Sequence, residues 1–282
     1  MMCTREIAGM SQERSIEQAA ICLKGATLHC QTAGSGHEVV LLHGGLVDSE
    51  MWDPQFGVLA DHYRVIRYDR RGFGASRGSS DRFSHAGDLR DLLGYLGADS
   101  AYFVGLSGGA ALAIDFTLQY PHVVDALVLA SPGLGGYVWS DRLQPYNEQI
   151  GAALALGDLN GALEVTLRQW VDGPTRRPNE VNDDIRGRVK AMTARTAPRA
   201  EEQQDTDSLD PPAINRLDEI SCPTLIIVGA IDMPDIATIA DVLEVGIPRA
   251  SKVVIPGTAH YPNLERPEEF NRLVLDFLAK QS

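Results

Sequence analysis

Tyr102-Phe103-Val104-Gly105-Leu106-Ser107-Gly108-Gly109-Ala110-Ala111-Leu112-Ala113 decides the fold. Strand-favouring apolar residues run up to Gly105, a single hydroxyl follows at Ser107, and past two glycines Ala and Leu recur at helical spacing. The stretch therefore reads as strand, sharp turn and helix. In Gly105-x-Ser107-x-Gly109 the turn lifts the serine oxygen clear of the sheet edge, and glycines flank it because a Cβ there would collide with the neighbouring strand or helix. The helix that starts at Ser107 aims its free N–H groups and positive dipole end at the charge that forms during acyl transfer.

Outward from this turn the same rhythm repeats. Continuous apolar runs at residues 38–43, 64–69, 125–130, 222–229 and 252–257 have the composition of strands buried on both faces. Between them lie helical patterns at 52–60, 83–96 and 235–245, and a last helix opens at Pro267 with Phe270, Leu273, Val274, Phe277 and Leu278 on one face. Strand and helix units of this kind build an α/β fold, a mostly parallel sheet with helices on both faces. A hairpin turning at Lys24-Gly25 precedes them and sets Cys22 opposite Thr27. From Leu134 to Asn215 the alternation stops: helical segments at 149–155, 159–170 and 181–196 read as a helical cap inserted between two strands, and 201–207 as its return linker. The expected organisation is a flexible extension (1–17), a core made of 18–133 and 216–282, and a cap (134–215).

Composition bounds the partners. A net charge of −13 over 282 residues argues against nucleic acid or an anionic membrane, either of which calls for a basic face. Residues 1–17 lack the apolar core of a secretory signal, and no run reaches transmembrane length. Cys3, Cys22, Cys30 and Cys222 are scattered without a CxxC or a histidine at ligand spacing, which disfavours zinc. Reduced thiols, a cytoplasmic location and no cofactor or metal are expected. Nothing in the sequence reports on oligomeric state.

A serine hydroxyl at neutral pH needs a base, and in open α/β sheets the site gathers where strands end. His260 follows the strand at 252–257 and is suited to accept the serine proton and hand it to the leaving group. Among the seven histidines, His37, His62 and His122 lie near the starts of strands, His29 in the hairpin and His85 in a surface helix. His43 ends a strand, but the glycines after it give it a shaping role, bonding backbone and bracing its loop. Asp232, after the strand at 222–229, is the acid that would orient His260; Asp235 is the rival, with Asp232 then capping the following helix. The oxyanion donors are the N–H of Gly108 and, from the loop His43-Gly44-Gly45-Leu46, that of Gly45, with Leu46 as runner-up.

Leu41-Leu42-His43-Gly44-Gly45, Arg67-Tyr68-Asp69-Arg70-Arg71-Gly72-Phe73-Gly74-Ala75-Ser76, Gly105-Leu106-Ser107-Gly108-Gly109, Val228-Gly229-Ala230-Ile231-Asp232 and Gly257-Thr258-Ala259-His260 stand in an order that resembles the α/β-hydrolase superfamily. The likeness is to its capped branch, which includes carboxylesterases, enol-lactonases and carbon–carbon bond hydrolases. It implies a serine hydrolase of a small-molecule ester or lactone, and a scaffold role for Asp69, Gly72, Gly74 and Ser76. Serine at the nucleophile position disfavours haloalkane dehalogenase and epoxide hydrolase. Gly108 stands where many relatives carry a larger residue, which implies a roomier pocket floor. Leu46 and Leu106, with Trp139 and Trp170 of the cap, are the candidate substrate-binding set. Two alternatives stay open, cleavage of a carbon–carbon bond in a dienoic ring-fission product and a hydrolase-like receptor that binds without turnover.

Overall fold

The computed structural model describes residues 5–7, 16–78, 82–203 and 208–281. Most of the expected extension, with Cys3, lies outside the described residues, as do 204–207 of the expected linker. The strands are β1 (Arg5–Ile7), β2 (Glu17–Leu23), β3 (Ala26–Ala33), β4 (Glu38–Leu42), β5 (Arg64–Tyr68), β6 (Arg77–Gly78), β7 (Ala101–Leu106), β8 (Val124–Ala130), β9 (Thr224–Gly229) and β10 (Ala250–Ile255). They form one sheet in the order β1-β2-β3-β5-β4-β7-β8-β9-β10, with β6 paired to β3. From β5 to β10 every neighbouring pair is parallel, so the loops after β4, β7, β8, β9 and β10 all emerge at one edge. The hairpin of β2 and β3 has the expected register, Cys22 opposite Thr27.

Alternation along the buried strands explains the continuous apolar runs. Val40, Leu42, Phe103, Leu127 and Ile226 enter one core cluster, and Val39, Leu41, Tyr102, Val104 and Ile227 the other. Helices α2 (His85–Leu96), α3 (Gly108–Gln119) and α7 (Pro234–Gly246) cover the first face, while α1 (Asp53–Ala60) and α9 (Pro267–Leu278), the latter following the short α8 (Pro262–Glu265), cover the second. The start and stop of α2 are local chemistry: the Ser84 hydroxyl accepts from Gly87 N–H, and Gly97 closes the helix at φ 68°. The stripe anticipated for α9 is present, with Phe270, Val274 and Leu278 fully buried.

Between β8 and β9 the chain forms α4 (Gln144–Ala155), α5 (Leu159–Leu167) and α6 (Asp183–Thr196). α4 starts earlier than its apolar periodicity suggests because Pro145 is tolerated in a first turn. The helix expected over 159–170 is two pieces, α5 and then a π-helical turn at Arg168–Asp172. α6 is riveted to the core: Arg195 meets Asp48 and Glu50, Arg188 meets Asp53, and the Thr196 hydroxyl donates to the Leu46 carbonyl.

The first turn of α3 lies almost against β4 and β7. A Cβ added at Gly109 would sit 2.1 Å from the Leu42 carbonyl oxygen, and one at Gly105 would sit 2.5 Å from the carbonyl oxygen of Gly109. Backbone cannot swing aside as a side chain does. Gly109→Ala is therefore expected to lower the unfolding free energy by about 1–3 kcal/mol or more, read from urea denaturation midpoints; native-like stability would contradict so close an approach.

Candidate active site

Ser107 occupies the tip of the turn between β7 and α3 at φ 54°, ψ −115°, a conformation costly for any residue with a Cβ. Its backbone is pinned in place. The Ser107 N–H donates to the Ala130 carbonyl (2.9 Å), and its own carbonyl accepts from Ala111 N–H (3.0 Å) and Gly133 N–H (3.1 Å). At the adjoining tip of β8 the fully buried Ser131 also has positive φ, 38°, and donates its N–H to Ile227. Among the described residues these are the two non-glycine positions with positive φ.

Two loops from neighbouring strands bring His260 and Asp232 together. Hydrogen bonds from Ala230 N–H to the Ile255 carbonyl and from Ile231 N–H to the Thr258 carbonyl stitch the loop after β9 to the loop after β10. His260 Nδ1 lies 2.9 Å from Asp232 Oδ2 and 3.2 Å from Oδ1, with both residues buried. Asp232 Oδ1 also accepts the Met233 N–H. Asp235, the rival acid, faces elsewhere and accepts from the Ser140 N–H and hydroxyl, each at 2.7 Å, and from the Tyr137 hydroxyl. Burial would raise its carboxyl, but the hydrogen bonds from Ser140 and Tyr137 outweigh that and hold it below the usual carboxylate range.

Gly45 and Gly108 adjoin each other across the site, since a Cβ on Gly108 would lie 3.3 Å from the Gly45 nitrogen. The loop carrying Gly45 is braced from behind. The Gly44 N–H is engaged by Met51 Sδ, while the Gly44 carbonyl accepts from Arg70 Nη2 and lies 2.8 Å from His43 Nδ1. His43 Nε2 accepts the Arg70 N–H (2.9 Å), so its proton resides on Nδ1 and the Nδ1–H donates to Gly44. Burial, reinforced by the Arg70 charge, holds this imidazole down at about 3 against an ordinary 6.5. Asp69 clasps the next loop, accepting the N–H groups of Ser49 and Ala75. The sequence reading anticipated the bracing role of His43 but missed Arg70; its place at the end of β5, on the site's edge, was the available signal.

The helical segment contributes directly. The His260 N–H donates to the Trp170 carbonyl (3.3 Å), and the Trp170 ring lies 4.5 Å from the imidazole, centroid to centroid. Trp139 meets Trp170 edge to face at 6.4 Å. Beside them opens a cavity of about 1070 Å³ whose lining includes Leu46, Trp139 and Trp170, three of the expected substrate-binding residues. Leu106 is the correction. The pleat that sends Val104 into the second core cluster sends Leu106 there too, fully buried and pressed under the Gly44 turn, and it does not line the cavity.

The sequence model of the alpha/beta hydrolase family matches residues 39–273. A 2-hydroxy-6-oxononadienedioate/2-hydroxy-6-oxononatrienedioate hydrolase of Pseudomonas putida is 31% identical, the alignment covering 89% of this chain and 91% of that one. The pimeloyl-[acyl-carrier protein] methyl ester esterase of Pectobacterium carotovorum is 26% identical, with 89% and 98% covered. Among solved structures, Est816, described as an N-acyl homoserine lactone degrading enzyme, superposes with a TM-score of 0.70 at 27% identity, over 91% of this chain and 99% of that one.

The neutral His43 has a measurable consequence. Its folded-state value, about 3, lies below the 6.5 of an ordinary imidazole, so between these the unfolded chain binds a proton that the folded chain refuses. The stabilisation is whole above pH 6.5 and is lost as pH falls, at up to about 1.4 kcal/mol per pH unit. Buried His85, also held at about 3, acts in the same direction. In urea unfolding from pH 7 to 4, His43→Asn should reduce the slope of stability against pH by about one proton; an unchanged slope would mean that His43 titrates normally in the fold.

Proposed function

The chain belongs to the alpha/beta hydrolase family and is a hydrolase, and we propose that it cleaves a carboxylic ester or lactone through an acyl-enzyme on Ser107. In this reading Ser107 Oγ attacks the acyl carbon while His260 Nε2 takes its proton. Asp232 on Nδ1 keeps the Nε2 lone pair turned to the serine and stabilises the imidazolium. The N–H groups of Gly45 and Gly108 hold the oxyanion; collapse then expels the alcohol with the proton returned by His260. Water deprotonated by His260 attacks the acyl carbon next and frees both acid and serine. Residues 134–215 act as the cap, 18–133 with 216–282 as the catalytic core, and 1–17 as an extension. The reaction calls for no cofactor, and we read the protein as cytoplasmic.

The observation that carries this proposal is the buried Asp232–His260 pair at 2.9 Å, on the same sheet edge as the strained Ser107 turn. The relatives add weight to ester and lactone chemistry through the esterase of Pectobacterium carotovorum and the lactone-degrading Est816. A second reading, hydrolysis of a carbon–carbon bond in a dienoic substrate, is favoured by the name of the Pseudomonas putida relative. The same three residues would serve it.

Steady-state assays on p-nitrophenyl esters, γ- and δ-lactones and a 2-hydroxy-6-oxo-dienoate separate the readings. Ester or lactone turnover is expected to dominate, and Ser107→Ala or His260→Ala to lower kcat by at least about 10³-fold, with Asp232→Asn within that order. Near-full activity in Ser107→Ala would overturn the mechanism, and faster turnover of the dienoate would move the second reading ahead.

A further inference from the structure

Helix α4 meets the core through the half-buried Tyr146. None of its 12 residues is buried, yet Ile150 and Leu154, four apart on one face, line the cavity. Leu154 is 51% exposed, and Leu159 and Trp139, which share the lining, are 63% and 41% exposed. α6, on another side of the same cavity, is held to the core by Arg188, Arg195 and Thr196. The cavity thus has one wall anchored to the core and one wall whose apolar stripe has the cavity as its partner. An apolar chain laid there would remove that stripe from water.

The cavity adjoins the candidate catalytic residues through two of its lining side chains. Leu46 follows the oxyanion candidate Gly45, and the Trp170 ring packs at a tilt against that of His260. Ser107, Gly45, Gly108 and His260 do not themselves line the cavity, so a chain from an acyl carbon at Ser107 would enter it past Leu46 and Trp170. Charge then selects among chains. The charged residues in the lining are Asp141 and Glu148, both exposed carboxylates, and among the described residues no lysine or arginine joins them. A chain ending in a carboxylate would meet two like charges beside an apolar wall, with no cation to compensate.

Resting on the serine-hydrolase reading above, we propose that the substrate is a neutral ester or lactone with a long apolar acyl chain, housed in the cavity beneath α4. The acyl portion sets the specificity and α4 is the element that reads its length. Each methylene taken from water into the cavity contributes about threefold to kcat/KM, until the chain outgrows it.

The test is a series of p-nitrophenyl esters from acetate to dodecanoate, alongside esters of the same length that end in a carboxylate. The expected profile climbs about threefold per methylene from acetate to octanoate, and the carboxylate-terminated esters fall at least about 100-fold below their neutral counterparts. Leu154→Glu, placed on a helix with no buried residue, should cut the octanoate-to-acetate ratio at least about tenfold. A flat or falling profile with brisk acetate turnover would overturn this inference and leave the serine-hydrolase reading standing, whereas failure to turn over any ester or lactone would overturn both. If Leu154→Glu instead splits a dimer in sedimentation without altering the chain-length profile, the α4 face joins two copies and the inference fails.

Discussion

The close approach of α3 to β4 and β7 is the constraint on which the rest of the structure depends. With glycine at 105 and 109, the helix settles onto backbone carbonyls that any Cβ would strike. The chain must then reverse within a residue or two, and it does so at Ser107 with φ 54°. That conformation is unfavourable for a serine in isolation, and the hydrogen bonds to Ala130, Ala111 and Gly133 over-determine it. Packing between a helix and two strands thus fixes the backbone that carries the Ser107 hydroxyl. The parallel strands do the rest, because their carboxyl ends deliver Gly45, Asp232 and His260 to the same edge.

Polar groups behind the site are arranged to stay in one charge state. His43 is neutral because it is buried beside Arg70, and this neutrality lets it accept the Arg70 N–H while donating to Gly44. Burial would push the Asp69 carboxyl up, yet His29 and the Ser49 and Ala75 N–H groups more than reverse it and hold the carboxyl far below its usual value. The turn that bears Gly45 is therefore supported by a hydrogen-bond network whose donors and acceptors are unambiguous. The helical segment joins that order from the other side, where the Trp170 carbonyl takes the His260 N–H and Arg176 binds Glu265, itself the acceptor for Ala259 N–H. His260, held by the core through Asp232 and by the segment between β8 and β9 through Trp170, has little room to turn.

Much of this was legible in the sequence because it is written in short-range chemistry. The Gly-x-Ser-x-Gly turn, the buried strands and the amphipathic stripe of α9 each reflect a local rule of sterics or periodicity. The meeting of Asp232 and His260 followed from both standing just after strands. What was not legible depends on tertiary placement. Leu106 adjoins Ser107 in sequence, yet the strand pleat turns it into the core. α5 reads as one helix with the residues after it, but gives way to a π-helical turn at Arg168–Asp172, and that turn carries the Trp170 carbonyl that His260 bonds. That Asp232 and not Asp235 meets His260 depends on Ser140 and Tyr137, far away in sequence, which engage Asp235 instead.

The central claim is that Ser107 is an activated nucleophile, and covalent labelling tests it most directly. The folded protein would be treated with a fluorophosphonate probe and the modified peptide mapped by mass spectrometry. The account predicts stoichiometric modification at Ser107, abolished in His260→Ala. Absence of labelling in a correctly folded sample, or labelling that survives loss of His260, would contradict it.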